Sequence, residues 1–364
     1  MKYVDEYRNR EIAERLIKRI WETCHRRVTL MEVCGTHTVA IHRNGIPGLL
    51  PEQITLISGP GCPVCVTAIS DIDRSIALSE KEGVIIATFG DLLRVPGSET
   101  SLLRQRGLGA DIRIVYSAYD AFSLAQQHPD RQVVFLGVGF ETTAPTVATV
   151  IKRAHEVELH NFSVLSMHKV LSPALLALVT SPQVKIDGFI CPGHVSTIIG
   201  TGLYKKVAEE FHIPCVVTGF EPVDVLQAIA LLVEQIERGE ARVAIQYRRA
   251  VSPEGNIKAR SMMEEVFEAC DSNWRGFGVL PRSGLKLKAS YRAQDAECMY
   301  DIPPVSGKEP AGCICGDILR GIKRPPDCSL FQKLCTPENP VGACMVSSEG
   351  TCAAYYQFSQ VRNS

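Results

Sequence analysis

Cysteine constrains this chain more than any other residue. It holds 14 cysteines in 364 residues, and seven of them fall from Cys298 onward. The tail from Ala311 is rich in Gly and Pro and has few periodic apolar segments. Such a segment lacks the buried area to fold unaided, and a bound metal centre can supply the missing stability. A secreted disulfide scaffold is a short chain. This one is long, and its start, MKYVDEYRNREIAERL, carries acids and bases where a signal peptide would be apolar. The pattern therefore predicts a metal or redox centre in a reducing compartment, with the cytoplasm as the location. Cys24, Cys215 and Cys270, taken singly, read as core thiols.

The tail spacing narrows the chemistry. Cys328, Cys335, Cys344 and Cys352 follow C-x6-C-x8-C-x7-C. Four thiolates can ligate a [4Fe–4S] cluster or tetrahedral zinc. Zinc sites usually contain tight C-x2–4-C knuckles, and these four have none, which favours the cluster. The spacing is not one of the familiar ferredoxin patterns. Cys313-Ile314-Cys315 stands apart, readable as a ligand source, a redox pair or neither.

The rest of the chain reads as a globular α/β protein of two or three domains. Hydrophobic residues are 45% and charged residues 22% of the sequence. Lys plus Arg number 39 against 40 Asp plus Glu, so no overall basic footprint points to nucleic acid. No apolar run reaches the roughly 18–20 residues of a membrane span. Strand–loop–helix alternation predicts parallel sheets. Strands are expected at 28–33, 54–58 and 84–89, then at 112–116, 132–137, 162–167, 188–191 and 215–218. Residues 277–283 and 285–287 contain turn signals, and 303–310 reads as a linker. The expected domains are a first lobe over 1–105, a second over 106–240 and a C-terminal region over 241–364.

Several motifs sit just beyond those strands, where parallel sheets place their binding crevices. Cys34-Gly35-Thr36-His37 joins a thiol to an imidazole that could act as base, hydrogen-bond donor or ligand. Cys62-Pro63-Val64-Cys65 follows Gly59-Pro60-Gly61 at a helix start, where backbone amides lower a thiol pKa. That dithiol suits redox exchange or soft-metal binding. Glu141, His168, His194 and Glu221 are expected around one cleft, to relay protons or hold a polar ligand. Gly137-Val138-Gly139 lacks the third glycine of a dinucleotide fingerprint and a P-loop lysine, so neither NAD nor ATP is expected. Nothing around the Cys–His pair matches a protease signature.

Taken together, residues 34–38, 59–65, 139–145, 191–194, 219–222 and 328–352 resemble the HypD-type maturation proteins of nickel–iron hydrogenases, over roughly residues 10–360. The resemblance implies two thioredoxin-like lobes beside a small Cys-rich domain holding one [4Fe–4S] cluster on Cys328, Cys335, Cys344 and Cys352. It implies a role in assembling the Fe(CN)2CO moiety of the hydrogenase. A transient Fe(II) carrying cyanide and CO would be held with a small HypC-type chaperone. Cyanide would come from a HypE-type partner, itself supplied by a carbamoyl-transferring protein. Cys34 would hold the iron, with contact from Cys65. His37 would assist, and Cys62 and Cys65 would form the redox dithiol. Two other readings remain open: an iron–sulfur-dependent thiol–disulfide oxidoreductase, and a zinc-stabilised binding module.

Overall fold

The computed structural model describes residues 5–302 and 307–359. Part of the expected 303–310 linker therefore lies outside the described residues. Eleven strands are named in chain order among those residues: β1 Val28–Glu32, β2 Ile54–Ser58, β3 Val84–Thr88, β4 Ile112–Ile114, β5 Gln132–Gly137, β6 Phe162–Ser166, β7 Gly188–Pro192, β8 Cys215–Thr218, β9 Val243–Ile245, β10 Phe267–Trp274 and β11 Gly278–Leu287. They form a five-stranded parallel sheet of order β2-β1-β7-β8-β9, a four-stranded parallel sheet of order β4-β3-β5-β6, and the antiparallel hairpin β10-β11. The α/β class with two parallel-sheet lobes and a Cys-rich C-terminal region matches the expectation.

The sheets divide the chain differently from the expected boundary at residue 105. Strands β3 to β6 form the second sheet as one insertion between β2 and β7, and the chain then returns to complete the first sheet. β3 thus belongs with β4–β6, and β7–β8 belong with β1. Strand–helix alternation looks the same whichever sheet a strand joins, so periodicity carries no record of pairing partners. The hairpin β10-β11 was also not anticipated. Its strands mix polar and apolar residues, and Gly276 and Gly278 turn it at φ +85 and +72.

Burial on both faces explains the apolar strands. Every residue of Val-Ile-Ile-Ala-Thr in β3 is buried, as expected for a parallel strand covered by helices on each side. One face of the first sheet packs Leu30, Ile190 and Val216 against Ile41, Val225 and Ile229. The other packs Met31, Phe189 and Val217 against Tyr204 and Val207. Helix Pro222–Glu237 is buried almost all round because helix Arg10–Thr23 covers its outer side. The latter is amphipathic and begins where Asn9 accepts from the Ile12 amide at 3.0 Å. No helix among the described residues is long and apolar enough to cross a membrane.

The tail folds through short pieces, helices Cys315–Leu319, Ala343–Val346 and Thr351–Ser359. Its core is shared with the lobes: Cys315, Cys335, Cys344 and Cys352 cluster with Cys62, Cys65, Phe140, Val195 and Trp274. Helix Thr351–Ser359 lies on helix Gly35–Arg43, where Tyr355 packs on His42 with ring centroids 4.2 Å apart.

Candidate metal-handling site

The site starts at the carboxyl end of β1. The chain leaves Glu32 and Val33, and Cys34 becomes the N-cap of helix Gly35–Arg43. Glu32 is buried, accepting from the Cys34 amide at 2.9 Å and from the Thr38 hydroxyl. Burial pushes its carboxyl up to about 7. Burial likewise pushes the Cys34 thiol up to about 12, although the amides of His37 and Thr36 favour the thiolate. A free Cys34 is therefore a thiol at neutral pH, and binding a metal there releases its proton.

The turn at Cys34 and the loop before Cys62 share one seam. A Cβ built on Gly61 would lie 2.1 Å from the Cys34 nitrogen and 2.3 Å from its Cα. Only glycine allows that approach. The seam is tied by the Gly35 amide donating to the Gly61 carbonyl at 3.1 Å. Cys62 then caps helix Pro63–Val66, its Sγ accepting from the Cys65 amide at 3.2 Å. Cys62 and Cys65 are joined as a disulfide, with Cα atoms 5.2 Å apart. Both are buried, so the expected dithiol sits against the Cys34 turn with little access to solvent.

His37 lies one turn into the same helix and is fully buried. Its Nε2 is 2.9 Å from the Gly219 carbonyl. A carbonyl only accepts, so Nε2 carries the proton and Nδ1 is left as a bare lone pair. That Nδ1 is buried without a partner among the described residues. Burial holds the ring's pKa down at about 4, so it is neutral at physiological pH. Phe220 stacks against His37 at 4.7 Å and against His194 at 3.9 Å. His194, exposed on the rim, is thus gathered to the Cys34 end of the first sheet through an aromatic spacer. Glu221 follows Phe220 but turns outward. It caps helix Pro222–Glu237 and binds the Arg8 guanidinium at 2.6 and 2.9 Å.

Sequence reasoning missed three contributors here. Phe220 looked like one more apolar residue after a strand. Asp224 is fully buried beside it, held by Arg249 Nη1 at 2.9 Å and Gln246 Nε2 at 2.7 Å. Glu349 comes from the tail. It accepts from the Thr36 hydroxyl at 2.6 Å, and a Cβ on Gly35 would lie 2.6 Å from the Glu349 Cβ. The only sequence signal was its place between two cysteines of the tail.

Glu141 and His168 belong to the second sheet. Glu141 accepts from the Leu171 amide at 3.0 Å, and its other carboxylate oxygen is buried without a partner among the described residues. Burial raises its carboxyl to about 7. Its neighbour Phe140 packs on Trp274, in the cluster that contains Cys62 and Cys65. His168 is not gathered with His194. It lies under the hairpin, against Phe267 and 3.2 Å from the Ser166 hydroxyl, and burial lowers its pKa to about 3. The neighbouring Lys169 is a buried staple, donating to Asp71 at 3.2 Å, Ser272 at 2.6 Å and the Asn273 carbonyl at 3.0 Å.

The tail cysteines converge. A small apolar cavity is lined by Cys313, Cys315, Cys328, Cys335 and Cys352, with Phe331 and Met345 beside them. Cys344 contacts the same group, and hydrogen bonds from Cys315 and then Cys352 hold its thiol down at about 5. A Cβ on Gly342 would lie 2.6 Å from the Sγ of both Cys313 and Cys315, so glycine is required for the chain to pass. Among the described residues no group of three or more His, Cys, Asp or Glu is disposed to hold a single metal ion. A cubane gives each thiolate its own iron, so its ligands need not close on one point. An all-thiolate donor set in an apolar pocket fits an iron–sulfur centre. Cys24 and Cys215 are buried core thiols, and Cys270 is half-buried.

Comparison with known proteins agrees with this architecture. The family described as "HypD: Hydrogenase formation hypA family" matches residues 11–359. The chain is 48% identical to hydrogenase maturation factor HypD2 of Bradyrhizobium diazoefficiens, over 100% of this chain and 98% of that protein. It is 46% identical to hydrogenase maturation factor HypD of Cupriavidus necator, again over 100% and 98%. With the HypD of Escherichia coli the identity is 45%, over 99% of both chains.

Proposed function

Since the chain belongs to the HypD family of hydrogenase formation proteins and acts in hydrogenase maturation, we propose that it is the scaffold on which the Fe(CN)2CO unit is assembled. The observation that carries this reading is the seam at Gly61, which sets Cys34 against the Cys62–Cys65 loop while Glu349 of the tail rests on Gly35. One thiol with a neutral imidazole three residues on, a redox pair and the iron–sulfur tail thus meet along a single line of backbone contacts.

The iron is cargo. Cyanide and CO are strong-field ligands that favour low-spin Fe(II), and a soft thiolate suits such an iron. Cys34 holds it, with Cys65 as a further contact. The bare Nδ1 of His37 serves as proton acceptor or as an additional donor nearby, its tautomer fixed by the Gly219 carbonyl. Burial of Cys34, His37 and Glu32 excludes water, which protects a reactive ligand in transfer. His194 lies exposed on the rim, with Glu221 half-buried nearby in its ion pair with Arg8, where a partner's groups would arrive. Glu141, whose second oxygen has no partner among the described residues, would exchange a proton beside the apolar cluster that holds the dithiol.

Cys328, Cys335, Cys344 and Cys352 would hold a [4Fe–4S] cluster, which when bound supplies single electrons. Cys62 and Cys65 store two electrons as dithiol against disulfide. Partners in this pathway are a small HypC-type chaperone and a HypE-type cyanide donor. A plain thiol–disulfide reductase would have no use for the buried Cys34–His37 pair.

The test is an anaerobic co-purification with the small chaperone, followed by infrared spectroscopy and metal analysis. The parent complex should show cyanide and CO stretching bands and iron beyond the cluster's own. Cys34→Ala should abolish the bands and the extra iron and leave the cluster absorbance near 400 nm. Full-intensity bands in that variant would refute the assignment.

A further inference from the structure

A buried positive charge borders the cysteine nest. Arg275 follows Trp274 at the turn of the hairpin and is 3% exposed. Its amide donates to the Val66 carbonyl at 2.9 Å, and its Nε donates to the Thr67 carbonyl at 3.2 Å. The guanidinium is therefore anchored to the chain that leaves Cys65. Nη1 meets Glu309 at 3.0 Å, but that carboxylate is 52% exposed and shares its charge with solvent. Nη2 is buried and has no partner among the described residues. The hairpin turn also presses on the tail: a Cβ on Gly276 would lie 2.6 Å from the Cα of Gly316, next to Cys315. Trp274 and Phe277, which flank Arg275, pack in the same apolar cluster as Cys315, Cys335, Cys344 and Cys352.

A buried guanidinium with an unused N–H is unfavourable unless something anionic faces it. We propose that Arg275 is the fixed counter-charge of the iron–sulfur centre and that it sets the centre's reduction potential. The inference rests on the cluster reading above. Each added electron makes such a centre more negative, so a nearby cation favours the reduced state and raises the potential. Because its Nε is tied to the Thr67 carbonyl, two residues beyond Cys65, the side chain holds that charge beside the chain that carries the dithiol.

The experiment compares the full chain with Arg275→Met, Arg275→Lys and Glu309→Gln. Each is reconstituted anaerobically with iron and sulfide and titrated by electron paramagnetic resonance at matched iron and sulfide content. Arg275→Met should lower the ratio of reduced to oxidised centre at a fixed poise by roughly tenfold or more, a fall of about 59 mV for one electron. Arg275→Lys should recover most of that loss. Glu309→Gln should move the ratio the other way, because a competing negative charge is removed. A purely structural staple would alter cluster content without these opposed shifts. If Arg275→Met does not retain the centre, Glu309→Gln decides. An unchanged potential in Glu309→Gln would overturn the proposal. A parent chain that takes up zinc and no iron–sulfide would overturn the cluster reading, and the proposal with it.

Discussion

Replacing Gly61 with alanine attacks the seam on which the proposed site depends. The new methyl carbon would stand 2.1 Å from the Cys34 nitrogen, 2.3 Å from its Cα and 2.3 Å from the Val33 carbonyl carbon. Ordinary contact begins near 3.4 Å, so the two loops must part by about 1.3 Å. The obstacle is backbone on both sides, and no rotamer change relieves it. Overpacking of this kind costs about 3 kcal/mol, the upper end of the usual range. If all 364 residues unfold together, with an entropy of about 2.1 cal/mol/K each, Tm should fall by about 4 °C. Parting the loops also lengthens the bond from the Gly35 amide to the Gly61 carbonyl and uncovers the Cys34 thiol. Two assays read these effects: thermal unfolding, and native-state alkylation of Cys34 followed by mass spectrometry. Alkylation should quicken several-fold. Gly107→Ala is the control, since no neighbour lies within 4 Å of the added carbon. A Gly61→Ala protein with the parent's Tm and the parent's Cys34 labelling rate would show that the seam is not closed as described.

Asp224→Ala should cost about 3–5 kcal/mol in urea unfolding, because Arg249 loses its buried partner; parity with the parent would count against a buried pair. His42 has its pKa lowered by burial from 6.5 to about 4, so it stabilises the fold as the neutral ring. The unfolded chain binds more protons between those values, so this contribution is complete above about pH 6.5 and is lost as pH falls through about 4, up to about 3 kcal/mol. His42→Phe should flatten the pH dependence of unfolding in that window, and an unchanged slope would assign it to other groups. Chelating the iron anaerobically should speed amide exchange in residues 311–359 and in helix Gly35–Arg43, with β3–β6 unaffected. Equal protection with and without iron would contradict metal-supported folding of the tail.

Much of this was written locally in the sequence. Cys34, Cys62 and Cys65 sit at the ends of strands whose apolar runs are unmistakable, and the tail cysteines gather in a segment with no other means of folding. What escaped was long-range. Which sheet takes β3 depends on partners far along the chain, so the domain division at residue 105 did not match the sheets. Phe220 becomes a spacer between two imidazoles only once β1, β7 and β8 are neighbours. Glu349 and Arg275 are ordinary charged residues until the tail and the hairpin fold back onto the lobes. His168 shared a strand-end position with His194, yet the hairpin that buries it had no clear alternating pattern.

The order of strands in the first sheet also bears on synthesis. β1 lies between β2 and β7, and β7 leaves the ribosome only after the whole inserted sheet has been made. Until then β1 has a naked edge, a hazard for sticking to other nascent chains. The Cys34 and Cys62 turns emerge early and wait for cover. Phe220 arrives late and Glu349 last of all, so a polypeptide released before its final residues exposes its thiols without the groups that enclose them.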